Sequence, residues 1–269
     1  MKKFIHAVSI LLCASVLITG CATAQKDYGT LKPGDLREAQ EILKKIEFIN
    51  SNLPESFTSR IAVKSTINGK SFSIAGNVYY ASNPVAIKVM LNDLIFKSPV
   101  VEILLQADQL KIFMPIEQSV YIRNPDPERD TTASLEINTQ FLSQTALGRI
   151  PLITGYTVTK SFIEEEQGKI TGKRVVVLEN KMYYESISVK NGIPDKVRIL
   201  AKNGVDTFEV HFENPSQNDN VILYKNVSAF SENTGNNFSI EYIDLKLNAP
   251  FDRNKIFHIE IPRGTKVIQ

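Results

Sequence analysis

The chain has little of what most enzyme chemistry needs. Of its 269 residues, two are cysteine, three are histidine and none is tryptophan. Cys13 and Cys21 both lie near the start, and Cys13 sits within an apolar leader. Removal of that leader leaves one thiol, which excludes an intramolecular disulfide and a thiolate metal site. His6 also belongs to the leader. His211 lies between Val210 and Phe212, and His258 between Phe257 and Ile259. Alternation along strands turns both toward solvent. No serine or cysteine has the setting of a nucleophile, and no zinc-binding helix motif is present. A charge excess is missing too: 31 basic residues meet 29 acidic ones. The signs are interspersed, without the clustered basic footprint of a nucleic-acid partner. Glu164-Glu165-Glu166 reads as a solvated turn. Asp126, Glu128 and Asp130 alternate through a proline-containing loop, but lack the glycine and terminal glutamate of an EF-hand. Neither a cofactor nor a metal is expected.

What is present begins with the leader. Lys2 and Lys3 precede an apolar stretch from Phe4 to Ile18. That stretch is shorter than the roughly 20 residues of a membrane-spanning helix, and suits a secretory signal. Leu17-Ile18-Thr19-Gly20-Cys21 follows. An aliphatic residue, small residues and a cysteine in that order resemble the lipobox of bacterial lipoproteins, in which only a thiol takes the diacylglyceryl thioether. Residues 1–20 are therefore expected to be a signal peptide. Residues 21–33 would be the lipidated Cys21 with a flexible tether, and 34–269 a single domain. Without disulfides that domain must be stable through its own core, and its length allows this.

Periodicity outlines the domain. Asp35-Leu36-Arg37-Glu38 has the form of a capping box. Leu36, Ala39, Ile42, Leu43, Ile46 and Ile49 then recur at helical spacing. From Phe57 the period becomes two, and about a dozen strand-like runs follow, Phe238 to Leu247 among them. Asn68-Gly69, Asn191-Gly192 and Asn203-Gly204 mark hairpin turns. Val100 to Leu105 is apolar on both alternations, as in a strand covered on both faces. Leu135 to Leu147 fits a second helix, with Gly148 as its cap. The expected fold is mainly β with a few helices: a large curved antiparallel sheet, an unclosed barrel, whose concave apolar face the helices cover. One apolar run stands apart. Leu94, Ile95 and Phe96 are consecutive bulky residues between Asp93 and Lys97, with Pro99 beyond. They read either as a core strand or as an exposed loop that meets a membrane or cargo.

Several segments resemble the LolA/LolB-like lipoprotein-sorting superfamily. The lipobox, the amphipathic helix and Ser59-Arg60-Ile61-Ala62-Val63-Lys64 resemble the start of LolB-type lipoproteins. Phe257 to Ile268, with Pro262-Arg263-Gly264, resembles the closing strand of LolA-like carriers, and Asn191 to Val197 their middle hairpin. The resemblance implies an unclosed barrel whose helices lid an apolar cavity for acyl chains. It implies a carrier or outer-membrane receptor in lipoprotein localisation, not an enzyme. Its partners would be the membrane, through lipidated Cys21, lipid or lipoprotein acyl chains, and a periplasmic carrier protein. Leu94, Ile95 and Phe96 are the nearest equivalent of the exposed leucine loop of LolB-type receptors. Two alternatives remain: a structural or surface-interaction lipoprotein with a filled core, and a hydrolase built from scattered carboxylates.

Ala22 after Cys21 is not the aspartate that retains lipoproteins in the inner membrane of enterobacteria, which by analogy favours the outer membrane, facing the periplasm. Cys21→Ser is expected to abolish lipid attachment and processing. Fractionation that still recovers a processed, membrane-bound species would overturn the anchor.

Overall fold

The computed structural model describes residues 30–93, 98–106, 109–123, 144–145, 147–166, 169–204, 207–218 and 221–268. Strand β1 (Thr30–Pro33) precedes helix α1 (Leu36–Ser51). A meander follows: β2 (Ser56–Ile67), β3 (Lys70–Ser82), β4 (Val85–Asn92), β5 (Pro99–Gln106), β6 (Gln109–Met114) and β7 (Ser119–Arg123). The second meander comprises β8 (Thr157–Glu166), β9 (Lys169–Glu179), β10 (Tyr183–Lys190), β11 (Ile193–Ala201), β12 (Thr207–Asn218), β13 (Val221–Ser231) and β14 (Asn237–Tyr242). The chain closes with β15 (Lys246–Leu247), the short helix α2 (Arg253–Ile256) and β16 (Lys266–Ile268).

All these strands belong to one sheet, in the order β1-β8-β9-β10-β11-β12-β13-β14-β2-β3-β4-β5-β6-β7-β16, with β15 also on β2. The pairs are antiparallel except β16 on β7. The strand order does not return to its start, so the sheet is curved and unclosed, as expected. Hairpins supply most pairings because the turn residues allow them. Asn68-Gly69 and Asn191-Gly192 both take positive φ at each position, the conformation of the tight turns that match strand twist. The two meanders are joined by β14 on β2, where Ile240 stands opposite Val63 and Tyr242 opposite Ile61.

Helix α1 lies on the inner face. Ala39, Ile42, Leu43, Ile46 and Ile49 are buried, and they join Phe57, Tyr80, Leu178, Ile187, Ile199 and Phe212 in the main core. Curvature has a local aid at Gly76. A Cβ there would sit 2.1 Å from the Met90 carbonyl oxygen, so β3 and β4 approach more closely than a side chain permits.

Five expectations need correction. Thr30–Pro33 is no tether: it forms β1 on the edge of β8, with Leu31 opposite Glu164. That pairing draws Glu164 and Glu165 out of a solvated turn. Glu165 pairs with Lys32 and Glu164 with Lys173. The capping box is half formed. Asp35 accepts from the Arg37 amide at 2.8 Å, but Glu38 reaches Arg174 Nε at 2.9 Å, and Leu36 is exposed. The run Phe238 to Leu247 breaks into β14 and β15, because Asp244 takes both the amide and Nε of Arg60 at 2.9 Å. Finally, Phe257 to Ile268 is not one closing strand. Only its last three described residues pair with β7. The rest straps across the outer face, because Ile259 is buried against Leu104, Phe113 and Val120. Phe251, just before α2, stacks edge-on to Tyr79 and Phe257. His258 is exposed, but on this strap rather than on a strand. The strap also explains why β5 is apolar on both alternations: Leu104 lies beneath it while Ile103 and Leu105 face inward.

Gly76→Ala is expected to destabilise the fold by about 1–3 kcal/mol, through displacement of β4. Denaturant unfolding checks this. A change within about 0.5 kcal/mol, the range of a surface substitution, would show that the close approach is dispensable.

Candidate functional site

The inner face divides into two halves with different cover. Over β8–β14, β2 and β3 it is filled by α1 and by residues 147–156. That segment starts from a helical turn at Gln144–Thr145 that ends at Gly148, whose φ is +66°, as the glycine cap requires. A set of polar contacts then fixes it. The Asn50 amide group clips the peptide of Ile150 from both sides, donating to its carbonyl at 2.8 Å and accepting from its N–H at 2.9 Å. Asn180 donates to the Thr154 carbonyl at 3.0 Å. Tyr156 donates to Glu47 of α1 at 2.7 Å. Burial, with this bond to a carboxylate, pushes the Tyr156 hydroxyl up to about 12. The packing beneath is tight. A void between Phe57, Leu147, Tyr224 and Tyr242 measures about 10 Å³, near the minimum for one water.

The other half spans β4–β7. Its inward positions are Val89 and Leu91 on β4, Val101, Ile103 and Leu105 on β5, and Leu110, Ile112 and Met114 on β6. Cross-strand register aligns them: Val89 with Ile103, Leu91 with Val101, Ile103 with Ile112, and Leu105 with Leu110. Tyr121 continues the row opposite Ile112 on β7 and is 39% exposed. The eight aliphatic residues are all half-buried. Period-two alternation brings an aliphatic floor together on β4–β6, while β7 sets Ser119 opposite Met114 and Arg123 opposite Leu110. Such an aliphatic surface is suited to hydrocarbon, which is held by exclusion of water.

A single carboxyl lies inside the filled half. Glu185, on β10, is fully buried, and its Oε2 accepts from the Ile153 amide at 2.9 Å. Its Oε1 has no hydrogen-bond partner. Burial pushes this carboxyl up to about 8, while the bond from Ile153 acts in the opposite direction. Alternation marks the position: Tyr183, Glu185, Ile187 and Val189 share one face, so a carboxylate on the core side was legible. Asn50 carried no such signal, because its partner is 100 residues away.

The histidines stand apart from both halves. His211 Nε2 lies 2.5 Å from Glu209 on the outer face, and Lys196 lies 2.7 Å from the same carboxylate. Burial acts upward on Glu209, but bonds from His211 and Lys196 prevail and hold it at about 2. Among the described residues no three histidine, cysteine, aspartate or glutamate side chains converge as a metal site. Cys21, the triad Leu94, Ile95 and Phe96, and the loop of Asp126, Glu128 and Asp130 all lie outside the described residues. The flanks of the triad are joined, with the Asp93 amide donating to the Ser98 carbonyl at 2.9 Å.

Among solved structures the chain resembles a DUF1329 family protein from Desulfovibrio piger, at 11% identity and a TM-score of 0.56, over 82% of this chain and 96% of the other. It also resembles a protein described as an outer membrane lipoprotein-sorting protein domain from Vibrio parahaemolyticus, at 11% identity and a TM-score of 0.54, over 82% and 97%. A LolA superfamily protein from Nitrosomonas europaea matches at 18% identity and a TM-score of 0.51, over 82% and 97%. The fold is LolA/LolB-like. No family profile matches the sequence, and no curated protein does. Within this LolA/LolB-like fold, α1 and residues 147–156 cover one half of the inner face, and the inward residues of β4–β6 stay half-buried, with Val89, Leu91 and Leu105 packed against the edge of the main core.

Glu185 makes a testable contribution to stability. Its folded-state value lies above that of an unfolded carboxyl, so the folded state holds the proton more tightly. Stability from this group is full below about pH 4.5 and falls as pH rises toward 8, by up to roughly 1.4 kcal/mol per pH unit. Glu185→Gln retains an acceptor for the Ile153 amide and is expected to flatten that slope. Denaturant unfolding between pH 5 and 8 checks it. An unchanged slope would mean that another group sets the pH dependence.

Proposed function

We propose that this protein binds acyl chains of lipids or lipoproteins on the inner face of β4–β7, as a carrier or receptor in lipoprotein localisation. The observation that carries this reading is the half-buried, wholly aliphatic floor from Val89 to Met114 beside a tightly packed half. Each methylene buried there contributes about 0.8 kcal/mol, so an acyl chain needs no polar anchor. The LolA/LolB-like fold and the description of the Vibrio protein support the same reading. The reading is binding without turnover, since the eight inward residues of β4–β6 carry no acid, base or nucleophile.

We place the protein on the outer membrane, held by lipid on Cys21 and facing the periplasm. The leader and lipobox from Lys2 to Cys21 support this. Residues 1–20 are the signal, and the chain beyond the tether works as one lipid-binding domain. A periplasmic carrier would exchange acyl cargo with the floor. Leu94, Ile95 and Phe96 would contact the membrane or that cargo, as three bulky apolar residues between Asp93 and Lys97.

The rival reading, a lipoprotein with a filled core and no ligand, makes the opposite forecast for Ile112→Trp. On an open floor, tryptophan fills space otherwise taken by ligand. Stability then stays within about 0.5 kcal/mol, and acyl lipid co-purifying with the full chain, read by native mass spectrometry, falls. In a filled core the same change overpacks and costs about 1–3 kcal/mol, and no lipid is found in the wild type. The second result would sink the carrier reading. Leu94→Ala, Ile95→Ala and Phe96→Ala are expected to slow lipid transfer to vesicles and to leave thermal melts nearly unchanged; a large loss of stability in all three, with transfer unaffected per folded molecule, would sink the loop reading.

A further inference from the structure

The outer face carries a groove that the acyl-binding reading does not use. The strap from Phe257 to Ile261 crosses the sheet diagonally. It leaves a cleft of about 600 Å³ against β5 and β6, floored by Leu104, Gln106 and Lys111. Ile259 is buried in the sheet while His258 and Glu260 are exposed. That alternation is the mark of extended chain, whose successive peptide groups turn to opposite sides. The His258 carbonyl accepts from Lys88 Nζ at 2.5 Å, on the β4 side. Lys88 is itself neutralised by Glu102 at 2.9 Å. The peptide groups of Ile259 and Ile261 therefore face the other way, toward the cleft, and have no backbone partner among the described residues. They form a row of open strand-type donors and acceptors.

The floor has a polarity to match. Lys111 stands opposite Leu104, and Gln106 opposite Gln109. Lys111 is half-buried and has no ion-pair or hydrogen-bond partner among the described residues. The Lys111 ammonium beside the Gln106 amide offers a charged donor to an anion, with the exposed Glu260 on the strap side of the same cleft. The apolar sides of Leu104 and Ile259 call for a ligand that also has an apolar body.

We propose that this cleft binds an extended, acidic peptide segment of a partner protein. The segment adds a strand along Ile259 and Ile261 and sets a carboxylate on Lys111. The peptide class follows from the open backbone groups, which a lipid headgroup would leave unused. The site is independent of the inner face: acyl lipid can be lost with this site intact, and the reverse.

The probe is a fluorescein-labelled hexapeptide of alternating threonine and valine ending in aspartate, titrated into the full chain and followed by anisotropy. Saturable binding is expected, weakened at least about tenfold by Lys111→Gln and restored by Lys111→Arg, as a charge-assisted contact requires. Ile261→Pro, which removes one open N–H, is expected to weaken it by about fivefold. Each variant is compared at unchanged thermal stability. Absence of saturable binding to the wild type overturns the proposal, as does equal binding by Lys111→Gln. So does calorimetric binding of dihexanoylphosphatidylglycerol that depends on Lys111 while the peptide fails to bind, because the occupant would then be a lipid headgroup.

Discussion

Contact between α1 and the inner face of the sheet is the interaction on which the other features depend. A sheet with so many apolar inward residues cannot stand with that face in water. Helix α1 supplies five buried side chains along one stripe, and the strands curve around it. The curvature leaves the sheet unclosed, with short edges at β1 and β16. Long open edges are templates for unwanted pairing. Here one edge strand has four residues and the other three.

A single helix does not cover so wide a sheet, and the remainder is handled in two ways. Residues 147–156 are fixed over β9 and β10 by backbone-directed bonds from Asn50, Asn180 and Glu185. These satisfy peptide groups that would otherwise be buried unpaired. Over β4–β7 the inward residues stay half-buried. On the acyl-binding reading, an apolar surface kept short of full cover reserves that burial for a ligand, at some cost to the stability of the free protein. The division of the face into a packed half and a receptive half is the structural basis of the acyl-binding reading.

The outer face repeats the logic on a smaller scale. Leu104, Phe113 and Val120 would be exposed on a solvated face, but Ile259 and Phe257 cover them. The strap that does so brings a buried Lys88–Glu102 pair under its backbone. A buried pair contributes little net stability but penalises loss of either partner. Here Lys88 also ties the strap to β4, through the His258 carbonyl. Because the strap runs at an angle to the strands, it cannot pair with them along its length. Among the described residues the peptide groups of Ile259 and Ile261 accordingly have no backbone partner.

Much of the local structure was decided by residue order alone. Helical spacing from Ala39 to Ile49 and period-two alternation from Phe57 onward determine which side of each element is apolar. Asn68-Gly69 and Asn191-Gly192 determine which strands are hairpin neighbours. The alternation around Glu185 even places a carboxyl on the core side. All of these are short-range consequences of backbone geometry. Tertiary structure alone decided the pairing of β1 with β8, of β14 with β2 and of β16 with β7, because partners distant in sequence leave no periodic mark. It also decided that Glu38 meets Arg174 rather than the helix N-terminus, and that Asp244 breaks the last long strand by binding Arg60. The strap over β4–β7 belongs with these. Phe257 to Ile261 has the alternation of a strand, but the apolar patch at Leu104, Phe113 and Val120 draws it across the sheet. Whether an alternating segment joins a sheet or lies upon it depends on which surfaces are still uncovered when it arrives, a property of the assembled fold and not of the segment.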